Sequence, residues 1–379
     1  MIYADNAATT KISEQALAQM LPFLQEQFGN ASSQYSLGKK AKKAIEQARR
    51  KVADVIGAEP TEITFTSGGS EANSWVLRGV ADTFKEETIH IITTFIEHHS
   101  VLNACSMLES RGVKVTYLPV GNDGMVSIEH LKSAICPNTK LVSIMLANNE
   151  IGTIQPIEDI GIFLHERGIW LHTDAVQAVG HIPVNVNSQH IDFLSASAHK
   201  FNGAKGTGFL YKRLGIALPA LILGGEQEHD SRAGTENVAG IVALRCALEE
   251  SVDNMSFESA KQQSLVNATI DDLRRTIPNI QINAENGHRL PGILSVSFPH
   301  VSGESIMQIL NLNGICVSTG SACNSGKDEP SHVLLAIGLS EQEVKSSIRI
   351  SYGRYNTLQE VKEITEAIVN AYNKILNMK

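Results

Sequence analysis

The stretch that decides the fold is IDFLSASAHKFNGAKGTGF, residues 191–209. Its apolar start, Ile191–Leu194, predicts a buried strand, and Lys200 follows that strand among small residues and three glycines. A lysine at the end of a buried strand can reach a carbonyl group and form a Schiff base, because burial favours the uncharged, nucleophilic amine. On its own, a lysine in this place is more often a solvated charge or an ion-pair partner.

A second polar motif follows an earlier apolar run. Ile169–Leu171 predicts another buried strand, and HTDAVQ, residues 172–177, comes directly after it. Asp174 in that motif is the type of acid that pairs with the pyridinium nitrogen in pyridoxal-phosphate sites. Lys200 and Asp174 together indicate this cofactor more strongly than either residue does alone.

Apolar strands alternate with amphipathic helices through the first two-thirds of the chain. Further strands are predicted at residues 62–66, 89–93, 113–118, 141–145 and 208–211, and a helix at Ser36–Ile56 that ends at Gly57. Strands separated by helices are joined by right-handed crossovers, so we expect an α/β fold with a mostly parallel sheet. Ligands of such sheets bind at the carboxyl ends of the strands, where the polar motifs of this chain fall.

The character of the chain changes near residue 250. A long helical pattern covers Phe257–Arg275, strand patterns cover 294–298 and 347–351, and a last helix reaches the C-terminus. These patterns predict a smaller α+β domain. We expect a large domain at 13–250 and a small domain built from 1–12 and 251–379.

Composition excludes several classes of protein. A formal net charge of −8 argues against nucleic acid as a partner, and no apolar run is long enough to span a membrane. The start of the chain is not a signal peptide, so a cytoplasmic location is expected. The five cysteines contain no C-x-x-C pair, which predicts neither a metal site nor a disulfide framework.

Three more polar segments follow predicted strands, and each has an ordinary alternative. Ser67–Asn73 contains Gly-Gly before a helix, which suits an anion but also suits a serine-capped turn. His98 could stack on a flat ring or be a hydrogen-bonded loop histidine. Asn149 could bind a phenolate or a carboxylate, or form a turn.

Considered together, these motifs match a known family. The chain resembles the pyridoxal-phosphate cysteine desulfurases of the NifS/IscS type, and the resemblance runs nearly from end to end. It is carried by Tyr3–Thr10, Ser67–Asn73, Glu97–His98, Asn148–Gly152, Asp174–Gln177, Ser197–Lys200, Arg232–Asn237 and Ser318–Cys323. The long stretch from Cys323 to His332 is similar to the group with an extended cysteine loop. The resemblance implies fold type I, with a seven-stranded sheet sandwiched by helices.

The resemblance also implies roles for individual residues. Lys200 would hold pyridoxal 5′-phosphate through a Schiff base, Asp174 would pair with the ring nitrogen, and His98 would stack on the ring. The other implied contacts are Gln177 to the phenolic oxygen; Gly69, Ser70, Ser197 and His199 to the phosphate; Thr235 to the phosphate of the partner subunit in a homodimer; and Asn149 and Arg349 to the substrate carboxylate. A guanidinium suits a carboxylate because it binds it bidentately.

Cys323 distinguishes a desulfurase from an aminotransferase. The resemblance implies that it takes sulfur from L-cysteine, leaves L-alanine, and passes the sulfur from its persulfide to an acceptor such as an iron–sulfur scaffold or a thiolation enzyme. Its neighbours are small or polar, whereas Cys316 lies in an apolar run typical of a core. A selenocysteine lyase or another β-eliminating lyase is the alternative activity, and a non-catalytic docking scaffold is the alternative outside enzymes.

The segment at residues 225–232 departs from the family pattern. Glu226 and Asp230 stand where glycines are usual, and His229 stands where arginine is usual. Arg232 and Thr235 keep the pattern. These changes add acid beside the loop expected to meet the partner subunit, so they bear on loop geometry more than on the chemistry.

Overall fold

The computed structural model describes residues 1–319 and 330–378. Its strands are β1 (Ile2–Tyr3), β2 (Ile63–Thr66), β3 (His90–Thr94), β4 (Lys114–Leu118), β5 (Thr139–Ser143), β6 (Trp170–Asp174), β7 (Phe193–Ser197), β8 (Gly208–Lys212), β9 (Gln281–Ile282), β10 (Ile293–Ser297), β11 (Ile315–Cys316) and β12 (Ser347–Ser351). Its helices are α1 (Glu14–Gln25), α2 (Ser36–Ile56), α3 (Gly69–Thr83), α4 (His99–Glu109), α5 (Ile128–Ala134), α6 (Ile157–His165), α7 (Val238–Asp253), α8 (Met255–Thr276), α9 (Gly303–Leu312), α10 (His332–Ala336), α11 (Glu341–Lys345) and α12 (Leu358–Asn377).

The large sheet has seven strands in the order β2-β8-β7-β6-β5-β3-β4. The pairings from β7 through β4 are parallel, and β8 runs antiparallel to both β2 and β7. The mostly parallel sheet expected from the sequence is therefore confirmed. The carboxyl ends of β3, β5, β6 and β7 meet along one edge, as parallel strands require.

Helices cover both faces of this sheet. Successive strand residues point to opposite faces, and adjacent pairs such as Ile91 and Ile92 belong to different apolar clusters. One cluster packs the sheet against α2 and α7, and the other packs it against α3 and α4. The predicted sandwich of helices is confirmed.

Most predicted elements lie within two residues of their observed bounds. Helix α2 matches its prediction because an apolar stripe runs along it and Gly57 ends it at φ 72°, a left-handed conformation that suits glycine. Strand β5 ends at Ser143, two residues before the predicted end. Beyond it the backbone still bonds β6, since the N–H groups of Ile144 and Leu146 donate to His172 and Asp174.

The C-terminal part has its own core. β10 pairs antiparallel with β12 and β9, and β1 pairs parallel with β11. An apolar cluster joins Ala4 to buried residues between Leu265 and Tyr372, so the N-terminal strand packs with the C-terminal elements. Within residues 1–319 and 330–378, no helix is long and apolar enough to cross a membrane.

Candidate active site

A cavity of about 490 Å³ opens where the parallel strands end. Twenty-one residues line it: Ala7, Ala8, Thr9, Ser67, Gly68, Gly69, Ser70, Glu71, Asn73, His98, Met145, Asn149, Asp174, Val176, Gln177, Ser197, His199, Lys200, Lys205, Gly206 and Arg349. Among the described residues, the cavity therefore brings together every residue proposed from the sequence except Thr235. Its place at the strand ends is the one expected for a parallel sheet.

Lys200 lies in a 3-10 turn that directly follows β7. Its Nζ donates to the backbone oxygens of Ala7 at 2.6 Å and Ala8 at 2.8 Å. The Ala7 oxygen also accepts from Gln177 Nε2 at 2.9 Å. The N-terminal segment thus holds both side chains in the cavity, a role that the sequence reasoning missed although it quoted the Tyr3–Thr10 motif.

Asp174 ends β6 and is buried. Its Oδ1 accepts from the Val176 N–H at 3.0 Å, and its Oδ2 accepts from Asn73 Nδ2 at 2.6 Å. Among the described residues, no basic side chain forms an ion pair with this carboxylate. A buried carboxylate is costly without a cation, so the cavity suits a ligand that brings a positive charge to this point, as a pyridinium does.

His98 lies one residue before α4 and caps that helix. Its Nδ1 accepts from the Ser100 N–H at 3.1 Å and lies 2.8 Å from Ser100 Oγ. Burial lowers the pKa of His98, with Lys200 and His99 adding to the effect and Asp174 opposing it. The ring is therefore neutral at neutral pH, with its proton on Nε2.

The start of α3 forms the opposite side of the cavity. Gly68 has φ 148°, which favours glycine, and a Cβ on Gly69 would lie 2.4 Å from Val176 Cγ2. The two glycines let the N-terminus of this 15-residue helix approach the strand ends closely, with its N–H groups toward the cavity. This cradle fits an anionic group such as a phosphate.

His199 faces the same cradle from the turn that follows β7. Its Nδ1 lies 3.0 Å from Thr9 Oγ1. Burial, together with Lys200 and Lys205, lowers the pKa of His199 to about 4, so the ring is neutral. Lys205 is exposed at the rim of the cavity and was not singled out from the sequence.

Arg349 reaches the cavity from β12 in the C-terminal part. Its Nη2 donates to Asp5 Oδ1 at 2.7 Å and its Nη1 to the Asn149 backbone oxygen at 2.8 Å. Its Nε is buried and has no hydrogen-bond partner in the described part of the chain. The guanidinium is thus held in place by two of its three nitrogens. Asp5 Oδ2 also accepts from Ser318 Oγ at 2.9 Å.

Two residues named from the sequence remain to be placed. Thr235 is exposed, which agrees with a contact made to another subunit but does not test it. Cys323 lies outside the described residues. Arg232, close to Thr235 in sequence, pairs with Glu71 at 3.0 Å, so the segment approaches the start of α3 within one chain.

Comparison with known proteins agrees with this geometry. The model of the aminotransferase class-V family matches residues 2–364. A cysteine desulfurase IscS from Methanosarcina thermophila is 47% identical over 377 residues, which cover 100% of this chain and 93% of the relative. The chain belongs to the cysteine desulfurases of the class V aminotransferase family.

Solved structures show the same relationship. A NifS-like protein has a TM-score of 0.93 and 39% identity, covering 98% of this chain and 99% of its own. SspA in complex with cysteine has a TM-score of 0.85 and 38% identity, covering 94% and 100%. This desulfurase therefore has fold type I, and its cofactor is pyridoxal 5′-phosphate. The buried Asp174 carboxylate and the glycine cradle of α3 fit that cofactor.

Proposed function

We propose that this desulfurase converts L-cysteine to L-alanine in the 490 Å³ cavity and leaves the sulfur on Cys323 as a persulfide. The observation that carries the proposal is the arrangement of Lys200, Asp174 and His98 around one cavity, with Arg349 at its C-terminal side. When bound, pyridoxal phosphate supplies an electron sink for the bonds at the substrate α-carbon.

The residues of the cavity have different roles in binding the cofactor and in proton transfer. Lys200 holds the cofactor covalently, and Asp174 keeps a negative charge beside the ring nitrogen. Gly69, Ser70, Ser197 and His199 hold the phosphate, and Gln177 the phenolic oxygen. His98, which is neutral with its proton on Nε2, stacks on the ring and moves a proton at that atom.

Arg349 binds the carboxylate of the substrate beside Asn149. The proposal is supported by the position of Arg349 on the cavity wall, because Asp5 and Asn149 use only two of its five N–H donors and a guanidinium binds a carboxylate bidentately. Asp5 accepts from Nη2, so the guanidinium is oriented before the substrate arrives.

Sulfur transfer needs no reagent beyond the substrate. The Cys323 thiolate attacks the substrate sulfur, an S–S bond forms, and the carbon–sulfur bond breaks. The electron pair of the broken bond remains with the substrate carbon, which takes up a proton and becomes the methyl group of alanine. Sulfur then leaves the persulfide by exchange with a thiol of an acceptor protein.

The wider assembly belongs to the same proposal. We propose a homodimer in which Thr235 contacts the phosphate of the partner subunit's site, an acceptor of the iron–sulfur scaffold or thiolation type, and a cytoplasmic location, where thiols stay reduced. The domain bounds 13–250, 1–12 and 251–379 are part of this proposal as well.

The test is Cys323→Ser, with Cys316→Ser as its control. A serine hydroxyl stays protonated near neutral pH, so we expect Cys323→Ser to keep the visible cofactor spectrum and to yield neither alanine nor persulfide from cysteine. Cys316, in β11, should be replaceable with little loss of turnover. Sulfur-labelled cysteine and mass spectrometry of the peptides measure the persulfide directly.

Three results would contradict the proposal. A persulfide found on Cys105, Cys136, Cys246 or Cys316 would mean that a cysteine other than Cys323 accepts the sulfur. Normal sulfide release by Cys323→Ser would make the chain an eliminating lyase. Alanine formed from selenocysteine but not from cysteine would make it a selenocysteine lyase.

A further inference from the structure

Asn73 is a buried side chain in the first turns of α3, 1% exposed, with an unequal set of hydrogen bonds. Its Nδ2 donates to Asp174 Oδ2 at 2.6 Å and to Ser100 Oγ at 2.9 Å. Its Oδ1 is buried and has no partner among the residues described. The two hydrogens of one amide nitrogen are thus both used, while the oxygen of the same group is left unsatisfied.

The Asp174 carboxylate decides which way this amide points. Turning the amide by half a rotation would place Oδ1 against Asp174 Oδ2, and two acceptors at that distance repel. The observed orientation is therefore the favourable one, although it leaves a buried oxygen without a hydrogen bond. Buried unsatisfied polar atoms are uncommon because they cost stability, so a function for the donor side of Asn73 accounts for the cost.

Ser100 connects Asn73 to His98 through hydrogen bonds. Because Ser100 Oγ accepts a hydrogen bond from Asn73, its own hydrogen is free to point at His98 Nδ1, 2.8 Å away. The Ser100 N–H donates to the same nitrogen. Both contacts favour the tautomer that carries its proton on Nε2.

We infer that Asn73 is a positioning residue that fixes Asp174 and His98 at the same time. One amide nitrogen orients the carboxylate that faces the cofactor ring nitrogen and, through Ser100, the imidazole that faces the ring itself. The inference rests on the proposed function, because the two side chains need this common alignment only if they serve one ring.

The experiment compares four variants of the full-length holoenzyme: Asn73→Leu, Asn73→Asp, Ser100→Ala and Asn283→Leu. Asn283 is an equally buried asparagine that bonds Ser295 and Ser297 in the C-terminal core, so its replacement controls for the general loss of a buried amide. Three quantities are measured: kcat and KM for cysteine against pH, the pH titration of the visible cofactor band, and the melting temperature.

We expect Asn73→Leu to lower kcat about tenfold or more while KM stays within about twofold, because misplacing a reacting group has effects of this size. Ser100→Ala should lower kcat less, since the Ser100 N–H still orients His98. Asn283→Leu should lower the melting temperature without lowering kcat.

Asn73→Asp gives a sharper result. Its carboxyl group can donate to Asp174 only when protonated, and two adjacent carboxylates cannot both stay ionised easily. A new ionisation should therefore appear in both the pH profile and the spectral titration, with activity retained on its acid side and lost on its basic side. The wild type and Asn73→Leu should lack this ionisation.

Two results would overturn the inference: Asn73→Leu with a kcat within about twofold of the wild type, or an Asn73→Asp profile parallel to the wild-type one. If Asn73→Leu does not fold, the pH profile of Asn73→Asp and the kcat of Ser100→Ala still test the inference. A wild-type protein that forms no alanine from cysteine would refute the proposed function instead, and the spectral titration would still test the role of Asn73.

Discussion

Two buried arginines have different roles: Arg49 on α2 stabilises the fold, and Arg349 on β12 lines the cavity. Each is 3% exposed and each meets a carboxylate. Arg49 bonds both oxygens of Glu228, at 2.8 and 2.9 Å, and the backbone oxygen of Ile63 at 2.6 Å. Its Nε donates to Glu46, so every nitrogen of Arg49 has a partner. Arg349 bonds one oxygen of Asp5 and leaves its Nε unpaired.

The two arginines differ in whether every guanidinium nitrogen has a hydrogen-bond partner. A buried ion pair stabilises a fold only when its hydrogen bonds are satisfied, and the Arg49 pair meets that condition within the chain. Arg349 lies on the cavity, where the donors that Asp5 and Asn149 do not use can bind a ligand carboxylate. The place beside the cavity, rather than the unpaired nitrogen alone, separates the binding residue from the scaffold residue, since Arg245 and Arg289 also have a buried nitrogen that is unpaired in the described chain and do not line the cavity.

The ion pair of Arg49 with Glu228 involves the segment that departs from the family pattern. Glu228, His229 and Asp230 have φ values of 49°, 55° and 62°, a left-handed run without glycine. Such conformations persist when surrounding contacts hold them in place. Glu228 provides these contacts, since it bonds Arg49 and also accepts from the Phe65 N–H at 2.8 Å. The segment keeps a defined shape although it lacks the usual glycines.

The largest effect is expected at Lys200. Lys200→Ala should abolish turnover, because only an amine at this point can form and exchange a Schiff base. Borohydride reduction followed by mass spectrometry of the peptides should find the cofactor on Lys200 in the wild type and on no peptide in the variant. Lys212→Ala is the matched control, since Lys212 ends β8, lies outside the cavity lining and donates to the Ile216 oxygen. A variant at position 200 that turns over at the wild-type rate would contradict the assignment.

The next prediction tests the two arginines against each other. Arg349→Lys keeps a charge but loses donors to the substrate carboxylate, so kcat/KM for cysteine should fall about 10- to 100-fold, the worth of one or two charged hydrogen bonds. Arg49→Met should instead lower the free energy of unfolding by about 3–5 kcal/mol, because it leaves Glu228 buried and unpaired. Steady-state kinetics with cysteine measure kcat/KM, and urea unfolding measures the free energy of unfolding, for both variants. Exchanged effects would show that Arg49 and Arg349 have been given each other's roles.

The smallest effect concerns Glu97, another buried group with an incomplete bond set. Its Oε1 accepts from Thr94 Oγ1 and the Met145 N–H, and its Oε2 has no partner in the described chain. Burial raises the pKa of Glu97 to about 8; the two hydrogen bonds oppose this rise and Asp174 adds to it. The folded protein therefore keeps a proton that the unfolded chain releases above its ordinary pKa of about 4.3.

Stability from this group is consequently greatest at acid pH and is lost as pH rises toward 8. Glu97→Gln cannot ionise, so between pH 5 and pH 6.5 it should lose about 2 kcal/mol less unfolding free energy than the wild type. Urea unfolding at the two pH values measures the difference, with the exposed Glu304→Gln as control. Equal losses in all three proteins would mean that Glu97 is ionised when folded.

The sequence by itself determined the order of the elements and the place of the polar motifs. Helix α2 and strand β12 were predicted at their observed bounds, because apolar periodicity and a terminal glycine act over a few residues. Lys200, Asp174 and His98 were found since each follows an apolar run, and parallel strands carry their ends to one edge. The resemblance to the desulfurases added Arg349, which periodicity alone does not mark.

Only the tertiary structure decided which groups hold these side chains. The Ala7 oxygen that accepts from Lys200 is 193 residues away from it, and Asp5, which pairs with Arg349, is 344 residues away. Asn73 meets Asp174 across 101 residues. Such contacts have no local signature, because they depend on how helix, strand and N-terminal segment pack rather than on the spacing of residues along any one of them.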